Sequence, residues 1–359
     1  MIGQKRLIKP RSARQGMPKL SKEERIHLIK RNLHELIGED ELRTLLSGTK
    51  TPVVYLGTAI TGKPHLGYFV WAVKMTDLMK AGFTVKVLLA DVHGALDNTP
   101  WDLLEHRYHY YEHVIKGMFA TIGADLTKLK FVKGSSFQLS KNYQLDMMKL
   151  ATHVTVHDAT KAASEVVKLG DSPKLAGIMY PLMQALDEEY LAVDAQYGGV
   201  DQRKILVFAR ENLPKIGYKS RIEMMTPLIP GLQGPGAKMS ASVSHSKIDL
   251  LDDEKTVKDK IDKAYCPAGT VEGNGILSFV KYVLMSATEE PFVISRPEKF
   301  GGNKTYGRYE DLERDFAEQK LHPMDLKNAV TKRINDLLAP IRKTMHDKQD
   351  LIKAAYPDA

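Results

Sequence analysis

The sequence predicts an α/β protein, with a doubly wound parallel sheet followed by a second part that is mostly helical. Between residues 51 and 133, three short apolar runs typical of buried strands alternate with two longer segments of helical periodicity. Strands and helices that alternate over short connections predict parallel βαβ units. Beyond residue 251 the strand patterns fade and helical patterns dominate, which indicates a second domain.

The individual elements are predicted from capping residues, breakers and periodicity. Ser21 with Glu24 three residues later is a capping-box pattern followed by an apolar stripe, so residues 21–37 predict a helix. A short helix is predicted at 40–46, and Pro64 and Gly82 mark the ends of a helix over 64–81. The other predicted strands lie at 51–57, 84–90, 128–133, 195–199 and 222–229, and the other predicted helices at 101–122, in several segments of 141–193, and at 257–264, 275–285, 306–319 and 323–346.

The composition is that of a folded chain that does not enter a membrane. The chain has 359 residues, which favours two domains, and 43% of them are hydrophobic, which excludes general disorder. No stretch approaches about 18 uninterrupted apolar residues, so no membrane-spanning helix is predicted. The single cysteine, Cys266, excludes a disulfide framework and a cysteine-based zinc site, and favours a reducing compartment such as the cytoplasm.

The formal net charge of +8 is unevenly distributed along the chain. Residues 1–16 contain five basic and no acidic side chains, whereas residues 245–359 contain 19 basic and 20 acidic ones. A basic chain favours an anionic partner such as nucleic acid, but charge in a short terminal segment says little about the folded surface. We predict a basic, disordered leader over residues 1–20, with an organellar targeting peptide as the alternative.

The connection between the first strand of this α/β unit and its first helix, residues 55–68, is a candidate ligand site. In open parallel sheets, ligands lie beyond the carboxyl ends of the strands, where backbone N–H groups at a helix start favour phosphate. Gly57, Gly62 and Gly67 let the backbone approach a ligand closely. Their spacing fits neither a dinucleotide fingerprint nor a Walker-type loop, so an ordinary strand-to-helix turn is the alternative.

A second candidate is the glycine- and proline-rich segment 231–242. It contains Lys238, Ser240 and Ser242, which supply one cation and two hydroxyl donors. Such a loop can close over a polyphosphate and offset the charge that develops during its transfer. Taken alone, the segment is equally typical of a flexible solvated loop.

Together, the two segments resemble the paired signatures of class I aminoacyl-tRNA synthetases, with His65-Leu-Gly-Tyr68 after the first strand and Lys238-Met-Ser-Ala-Ser242 after a late one. Three further stretches, at 90–98, 180–190 and 193–204, resemble tyrosyl-tRNA synthetases of the eukaryotic and archaeal type. The resemblance extends from about residue 21 to residue 346. It implies a Rossmann-type catalytic domain over 21–248 with a helical connective insertion, and a helical anticodon-binding domain over 249–359.

Three positions depart from the common pattern of the class. Tyr68 stands where many class I enzymes have a second histidine; a tyrosine at this position is usual in the eukaryotic tyrosyl branch. Ala241 replaces a serine of the loop and resembles the tryptophanyl branch, so the tryptophanyl enzyme is the nearest alternative. An additional Pro235-Gly236 puts the closing geometry of the loop in doubt but not Lys238 itself.

An amino-acid pocket is predicted from helical spacing. Tyr180, Gln184 and Asp187 fall at i, i+4 and i+7, so that a helix places all three on one face. A solvated acidic patch over 187–189 is the alternative. The resemblance implies that Asp187 and Tyr55 hydrogen-bond the phenol hydroxyl of tyrosine, and that Tyr180, Gln184 and Gln202 hold its ammonium group.

The resemblance implies a ligase that joins L-tyrosine to tRNA(Tyr) in two steps, through tyrosyl-adenylate. ATP is then a substrate that brings Mg²⁺ with it, and no metal bound by the protein itself is expected. Neither step needs a protein nucleophile, so catalysis depends on placement and charge stabilisation. The implied catalytic residues are His65, Lys238, Ser240 and Ser242, and the implied ATP-binding residues are Gly57, His65, Gly67, Gly199, Asp201, Lys238 and Met239.

The helical domain carries a signature of its own. Segments 300–306 and 322–327 resemble the anticodon-reading segments of the tyrosyl enzymes, which implies that Phe300, His322, Pro323 and Asp325 contact RNA. Proteins read single-stranded bases by aromatic stacking and by hydrogen bonds to base edges. Phe300 suits the first role and Asp325 the second, with core packing of Phe300 and a helix N-cap at Asp325 as the alternatives.

Two further features concern assembly and metals. The resemblance implies a homodimer with an interface between the two halves of the sheet, where Met147, Met148, Leu150 and Val154 have compatible apolar character. An RNA-binding protein that has lost catalysis on the same scaffold is a further alternative, which the intact signature residues disfavour. His106, His109 and His113 share a helix face near acidic residues, but no HExxH spacing occurs, so a structural or solvated face is predicted.

Overall fold

The computed structural model describes residues 20–167, 169–236 and 247–357 of the chain. Six strands form its central sheet in the order β1-β6-β5-β2-β3-β4, and two more form a small separate sheet. The strands are β1 (Glu35–Ile37), β2 (Val53–Ala59), β3 (Thr84–Ala90), β4 (Leu129–Lys133), β5 (Ala195–Gly199), β6 (Ile222–Thr226), β7 (Phe292–Ile294) and β8 (Lys304–Tyr306).

Helices cover both faces of the sheet and dominate the end of the chain. In the first two thirds of the chain they are α1 (Lys22–Lys30), α2 (Glu39–Ser47), α3 (Tyr68–Lys80), α4 (Asp91–Leu96), α5 (Leu104–Thr121), α6 (Ser135–Gln138), α7 (Lys141–Ala151), α8 (Val156–Ala163), α9 (Leu175–Tyr190) and α10 (Arg203–Asn212). The last third contains α11 (Glu254–Lys263), α12 (Gly275–Phe279), α13 (Tyr309–Ala317), α14 (Pro323–Met345) and α15 (Gln349–Ala355), and a π-helical turn (Val280–Leu284) follows α12.

The sheet topology fixes where a ligand can lie. β6, β5, β2, β3 and β4 are parallel neighbours, and β1 pairs antiparallel to β6 at the edge. From β2 the chain proceeds to β3 and β4 on one side, and it returns to β5 and β6 on the other. The switch point therefore lies between β2 and β5, and a crevice opens there at the carboxyl ends of the strands. This arrangement confirms the predicted doubly wound α/β fold.

The predicted helix over 21–37 is wrong in its second half. The capping box of Ser21 and Glu24 is present, but the helix ends at Lys30. Lys74 of α3 donates through Nζ to the carbonyl oxygens of Leu28 and Ile29, at 3.3 and 3.0 Å, and so satisfies groups at the helix end. Asn32 then adopts a φ of 60°, which an α-helix does not allow. The chain emerges as β1, whose pairing partner lies nearly 190 residues away in β6.

Two other predicted helices differ at their boundaries. The helix predicted over 64–81 begins only at Tyr68, since residues 64–66 pair instead with the segment around Ile248. The helix predicted over 275–285 is α12 followed by the π-helical turn, which accommodates one extra residue per turn. The strands β7 and β8, three residues each, were too short to predict from periodicity.

The helical part of the chain packs directly on the sheet unit. α14 crosses α5 at Gly117, where a Cβ would lie at an ordinary van der Waals distance of 3.6 Å from Cγ1 of Ile341. One hydrophobic cluster extends without interruption from the sheet into α11–α15. The division at residues 248 and 249 stays a prediction, as does the leader over 1–20, which lies almost entirely outside the described residues. Among the helices that the structure describes, none is both long and apolar enough to cross a membrane.

Candidate active site

A cavity of about 400 Å³ opens at the switch point of the sheet. Its walls come from β2 and the loop after it, from β3, from one face of α9, and from β5 with the turn that follows. Ten of the sequence-predicted residues line it, namely Tyr55, Gly57, His65, Gly67, Tyr180, Gln184, Asp187, Gly199, Asp201 and Gln202. The fold thus brings together every predicted tyrosine- and ATP-binding residue that the structure describes. Lys238, Met239, Ser240 and Ser242 belong to 237–246 and lie outside the described residues.

At one end of the cavity lies the buried carboxylate of Asp187, on α9. Its Oδ1 accepts hydrogen bonds from Nε2 of Gln138 at 2.8 Å and from the hydroxyl of Tyr143 at 2.9 Å. Its Oδ2 makes no hydrogen bond within the described residues, and the nearby Nε2 of His93, 3.9 Å away, makes none either. Two polar atoms at the cavity wall are therefore directed at the same small region, which suits a hydroxyl that both donates and accepts.

Burial shifts the protonation of this end of the cavity towards neutral forms. Burial raises the pKa of Asp187 to about 8, against the lowering effect of its two donors. Burial also lowers the pKa of His93 to about 4. At neutral pH the pair consists of a neutral imidazole beside a carboxyl group that readily takes a proton. Such groups recognise a ligand by the direction of hydrogen bonds rather than by net charge.

Tyr55 lies on β2 beside this carboxyl group. Its side chain is fully buried, and its hydroxyl donates to the carbonyl oxygen of Gln184 at 3.1 Å. Burial raises the pKa of Tyr55 far above its ordinary value, as do the charges of Asp187 and Glu188. The phenol of Tyr55 consequently stays protonated, and with its hydrogen directed at α9, its oxygen is left to accept from a ligand.

The middle of the cavity carries the remaining predicted tyrosine contacts. Nε2 of Gln184 donates to Oε1 of Gln202 at 3.2 Å, which links α9 to the turn after β5. The ring of Tyr180 meets that of His93 edge-on, with centroids 4.5 Å apart. A Cβ at Gly198 would lie 2.9 Å from Cβ of Gln202, so the glycine is what allows this glutamine to pack against the strand.

His65 occupies the other end of the cavity, in the loop between β2 and α3. Its Nδ1 accepts from the N–H of Gly67 at 3.2 Å, which leaves the ring hydrogen on Nε2. Burial, together with the charge of Lys247, lowers the pKa of His65 to about 3. The imidazole is therefore a neutral hydrogen-bond donor at physiological pH.

Glycines shape the same end of the cavity. A Cβ at Gly199 would lie 2.6 Å from Oδ1 of Asp201 and 3.1 Å from Cδ2 of Leu228, so no larger residue fits there unless these side chains move. A Cβ at Gly57 would meet its nearest atom only at 3.8 Å, which leaves room at the cavity wall. The backbone can thus approach a flat ligand closely between β2 and β5.

The segment that follows residues 237–246 is anchored to the loop of His65. The N–H of Leu66 donates to the carbonyl oxygen of Ile248 at 2.8 Å, and the N–H of Leu250 to that of Pro64 at 3.2 Å. Nζ of Lys247 donates to the carbonyl oxygen of Lys63 at 3.2 Å. The chain that leaves the predicted second signature is therefore hydrogen-bonded to the first signature.

Three residues of the site were missed by sequence reasoning: Gln138, Tyr143 and His93. His93 stands just after the carboxyl end of β3, and Gln138 and Tyr143 follow that of β4, so their position relative to the sheet edge was the available signal. The local geometry of Gln138 depends on a glycine, because a Cβ at Gly134 would lie 2.5 Å from its Oε1.

The predicted RNA contacts lie in the helical part. Phe300 is 60% exposed at the end of a short 3₁₀ turn, so the alternative of core packing is wrong. His322 caps α14, since its Nδ1 accepts from the N–H of Met324 at 3.1 Å, and Pro323 is the first helical residue. Asp325 sits half-buried in the first turn and is not the N-cap, so that alternative is wrong as well.

On the predicted histidine face of α5, His109 contacts acidic side chains of the same helix. His109 lies 3.2 Å from a carboxylate oxygen of Glu105 and 3.9 Å from one of Glu112. Across the residues that the structure describes, no three or more His, Cys, Asp or Glu side chains are arranged to hold a metal ion. Electrostatic contacts with neighbouring carboxylates account for the position of His109.

The fold and the cavity define the class of the protein. The doubly wound sheet has a cavity at its switch point, where His65 of the first loop and residues of α9 meet, and this agrees with the class I aminoacyl-tRNA synthetases. Residues 47–339 match the family described as tRNA synthetases class I (W and Y). A tryptophanyl-tRNA synthetase from Aeropyrum pernix shares this fold, with a TM-score of 0.67 at 18% identity over 90% of this chain and 85% of that one.

Closer relatives are tyrosine enzymes. A tyrosine–tRNA ligase from Haloarcula marismortui is 44% identical over 93% of this chain and 97% of its own. The crystal structure of tyrosyl-tRNA synthetase from Archaeoglobus fulgidus, complexed with L-tyrosine, has a TM-score of 0.84 and 41% identity over 90% of this chain and 100% of that one. The chain belongs to the tyrosyl-tRNA synthetases within the class I family, which confirms the resemblance noted from its motifs.

The vertebrate relatives are longer. The cytoplasmic tyrosine–tRNA ligase of Gallus gallus is 54% identical over 94% of this chain, but the match covers 64% of that protein. The chain therefore spans somewhat less than two thirds of the length of these relatives.

Proposed function

We propose that the chain is a tyrosine–tRNA ligase that forms tyrosyl-adenylate from L-tyrosine and ATP and then transfers the tyrosyl group to tRNA(Tyr). The observation that carries the proposal is the polar end of the cavity at Asp187. There, Oδ2 of Asp187 and the hydroxyl of Tyr55 face one region, and Gln138 and Tyr143 hold the carboxyl group in place. A hydroxyl bound there leaves few buried polar atoms unpaired, whereas phenylalanine leaves them without partners.

The first step is an in-line displacement on the α-phosphate of ATP. The carboxylate of tyrosine forms the new bond to phosphorus, and pyrophosphate leaves with the bonding electrons. The ammonium group is held by Tyr180, Gln184 and Gln202. The adenosine site is lined by Gly57, Gly67, Gly199 and Asp201. His65 donates to the triphosphate as a neutral imidazole, and Lys238 with its neighbours Met239, Ser240 and Ser242 offsets the charge of the leaving group.

In the second step, a terminal ribose hydroxyl of the tRNA attacks the acyl carbon and AMP leaves. No protein nucleophile takes part, so the contribution of the protein is to align the reacting atoms and to stabilise charge. ATP brings Mg²⁺ as part of the substrate.

The anticodon of tRNA(Tyr) is read by the helical part of the chain. The exposed ring of Phe300 provides a stacking surface for a base, and the ammonium of Lys299 lies 4.9 Å from the centre of that ring. Asp325 accepts from a base edge, and His322 with Pro323 fixes the start of the helix that carries it.

A homodimer is supported by the exposed apolar side chains of the connective helices. Met148 is 68% and Leu145 48% exposed on α7, whereas Met147 and Leu150 are buried in the core and are not available for an interface. Light scattering of the wild type and of Met148→Lys tests this, with a dimer expected for the first and a shift to monomer for the second. We assign the ligase to the cytoplasm, the compartment named for the vertebrate relatives.

Amino-acid-dependent exchange of pyrophosphate into ATP tests the catalytic proposal. We expect tyrosine, and not tryptophan or phenylalanine, to support exchange, and Asp187→Ala to abolish the response to tyrosine. Exchange with tryptophan would favour the tryptophanyl alternative. Binding of tRNA without exchange under any amino acid would favour an RNA-binding protein that has lost catalysis.

A further inference from the structure

A second group of buried polar side chains lies behind the phenol end of the cavity and does not line it. Glu188, Glu223 and Gln196 are each at most 1% exposed. Both carboxyl oxygens of Glu188 and of Glu223, and Oε1 of Gln196, make no hydrogen bond within the described residues. Five buried oxygens without a donor in one place are unusual in a folded protein and require a physical explanation.

The register of the sheet brings these side chains together. Tyr55 of β2 is the partner of Gln196 in β5, and Gln196 is the partner of Glu223 in β6. Partners in adjacent parallel strands point to the same face, so the three form a row. α9 covers this face, because the hydroxyl of Tyr55 donates to the carbonyl oxygen of Gln184 in that helix. Glu188 lies on the same helix, directly after Asp187.

A large free-energy penalty opposes the ionisation of both carboxyl groups in such a buried space. Burial raises the pKa of Glu188 to about 8, and it raises the pKa of Glu223 as well, with the charge of Glu188 adding to the effect. The charged and titratable groups around the pair are Arg210 of α10, Arg221 ahead of β6, Asp187 and Glu189 of α9, Glu41 of α2, and Tyr55 of β2.

The two arginines lower both pKa values but are also bound elsewhere. Nη2 of Arg210 pairs with Glu41 at 2.9 Å, and Nη2 of Arg221 pairs with Glu189 at 2.5 Å. Each guanidinium is thus already paired with another carboxylate. A proton is the remaining way to relieve the repulsion between Glu188 and Glu223.

We propose that Glu188 and Glu223 share a proton and, as a carboxylic acid–carboxylate pair, position the phenol-binding end of the tyrosine pocket. The shared hydrogen is donated by one carboxyl group to the other, so it pairs one buried oxygen of each glutamate. The pair connects α9 to the sheet. It adjoins both proposed phenol contacts, because Glu188 follows Asp187 in α9 and Glu223 belongs to the row of strand residues that ends at Tyr55. Both glutamates are positioning residues, and their role rests on the proposed tyrosine specificity.

A proton count tests the pair without any reference to activity. Acid–base titration of the full chain, native and unfolded in denaturant, gives the number of protons that the native state retains at pH 7. We expect the wild type to retain about one proton more than Glu223→Gln, because an unfolded glutamate is ionised at this pH. The exposed Glu272→Gln should match the wild type. Equal counts for the wild type and Glu223→Gln would overturn the proposal.

Steady-state exchange kinetics test the positioning role. At pH 7 we expect Glu223→Gln to keep the KM for tyrosine of the wild type, since an amide also donates, and Glu223→Ala to raise it about tenfold with the KM for ATP unchanged. Towards pH 9 the wild type should lose its proton, and its KM for tyrosine should rise about tenfold relative to Glu223→Gln. A ratio that stays constant with pH would refute the positioning role. Absence of tyrosine-dependent exchange would instead refute the proposed function, and the proton count would still decide whether the pair exists.

Discussion

Removal of the Tyr143 hydroxyl tests whether Asp187 depends on its buried donors. Tyr143 is fully buried, and its hydroxyl lies 2.9 Å from Oδ1 of Asp187 and 2.8 Å from the carbonyl oxygen of Met183. A hydroxyl has one hydrogen and therefore donates to one of these acceptors at a time. Burial raises the pKa of Asp187 to about 8, so at neutral pH its carboxyl group and the carbonyl of Met183 are both neutral acceptors, and the hydroxyl makes an ordinary hydrogen bond to either.

The magnitude follows from the kind of bond that Tyr143→Phe removes. A hydrogen bond between neutral groups contributes about 0.5–1.5 kcal/mol, and Nε2 of Gln138 remains as the second donor to Oδ1 at 2.8 Å. The expected loss in kcat/KM for tyrosine is therefore about 2- to 13-fold, carried mainly by KM. The lost donor also raises the pKa of Asp187 further, because hydrogen bonding to the charged form is what lowered it.

The assay is pyrophosphate exchange with tyrosine and with phenylalanine as separate substrates. Tyr190→Phe is the matched control: it deletes a hydroxyl that donates to Asp146 at 2.8 Å, in the same cluster, with its ring 4.8 Å from that of Tyr143. We expect the control to keep the kinetics of the wild type and Tyr143→Phe to lose preference for tyrosine over phenylalanine. Equal losses in both variants would show that the effect is one of packing, and an unchanged KM in Tyr143→Phe would refute the role of the hydroxyl.

Three further predictions concern other parts of the chain. Phe300→Ala should lower tRNA charging by about 5- to 150-fold through the loss of base stacking, with tyrosine-dependent exchange unchanged; a parallel loss of exchange would contradict it. His65 and His93 have pKa values lowered by burial to about 3 and about 4, so below about pH 6.5 each contributes a fall in the free energy of unfolding of about 1.4 kcal/mol per pH unit of acidification. The raised pKa values of Asp187, Glu188 and Glu223 contribute with the opposite sign, so the effect of one histidine is measured as a difference between the wild type and a variant. Denaturant titrations of the wild type and His93→Gln between about pH 4.5 and 6.5 measure this difference: the free energy of unfolding of the variant, relative to that of the wild type, should rise by about 1.4 kcal/mol per pH unit of acidification, and a difference that stays constant with pH would contradict it. Deletion of residues 1–16 should leave tyrosine activation intact, and any loss of tRNA affinity should vanish at high salt, as filter binding can show.

The parallel sheet was predictable because its inner strands β3 and β5 are largely buried. β3 and β5 have the predicted bounds, since each is a short run set off by residues that break regular structure. β1 was not predictable in this way. Glu35, Leu36 and Ile37 continue a helical apolar stripe, and only their pairing with β6 makes them a strand. The late start of α3 has the same cause, because its first predicted turn is bonded to residues near Ile248. Long-range pairing overrode local preference at both places.

The same distinction, between local sequence pattern and long-range contact, separates the site residues that could be predicted from those that could not. The spacing of Tyr180, Gln184 and Asp187 predicted one helix face at the cavity, and α9 presents all three there. Gln138 binds Asp187 from 49 positions earlier in the chain and has no local pattern that would mark it. Residues that support a functional group are brought to it by tertiary structure, so their types and spacings carry little information in the sequence.

The pKa shifts at the cavity all favour the neutral form of the group concerned, and this bears on how the cavity selects its ligand. Burial favours the neutral forms of His65, His93 and Asp187, so these three groups act on a ligand through the direction of their hydrogen bonds. A neutral donor or acceptor loses its effect within a small displacement, whereas a charge acts over several ångströms. Selectivity of this kind demands that α9 and the sheet hold their relative position closely. The bond from Tyr55 to α9 and the pair of Glu188 and Glu223 act on that interface, and the donors of α6 and α7 hold Asp187 of α9 from another side. Each variant that disturbs these contacts should therefore affect recognition of tyrosine more than that of ATP.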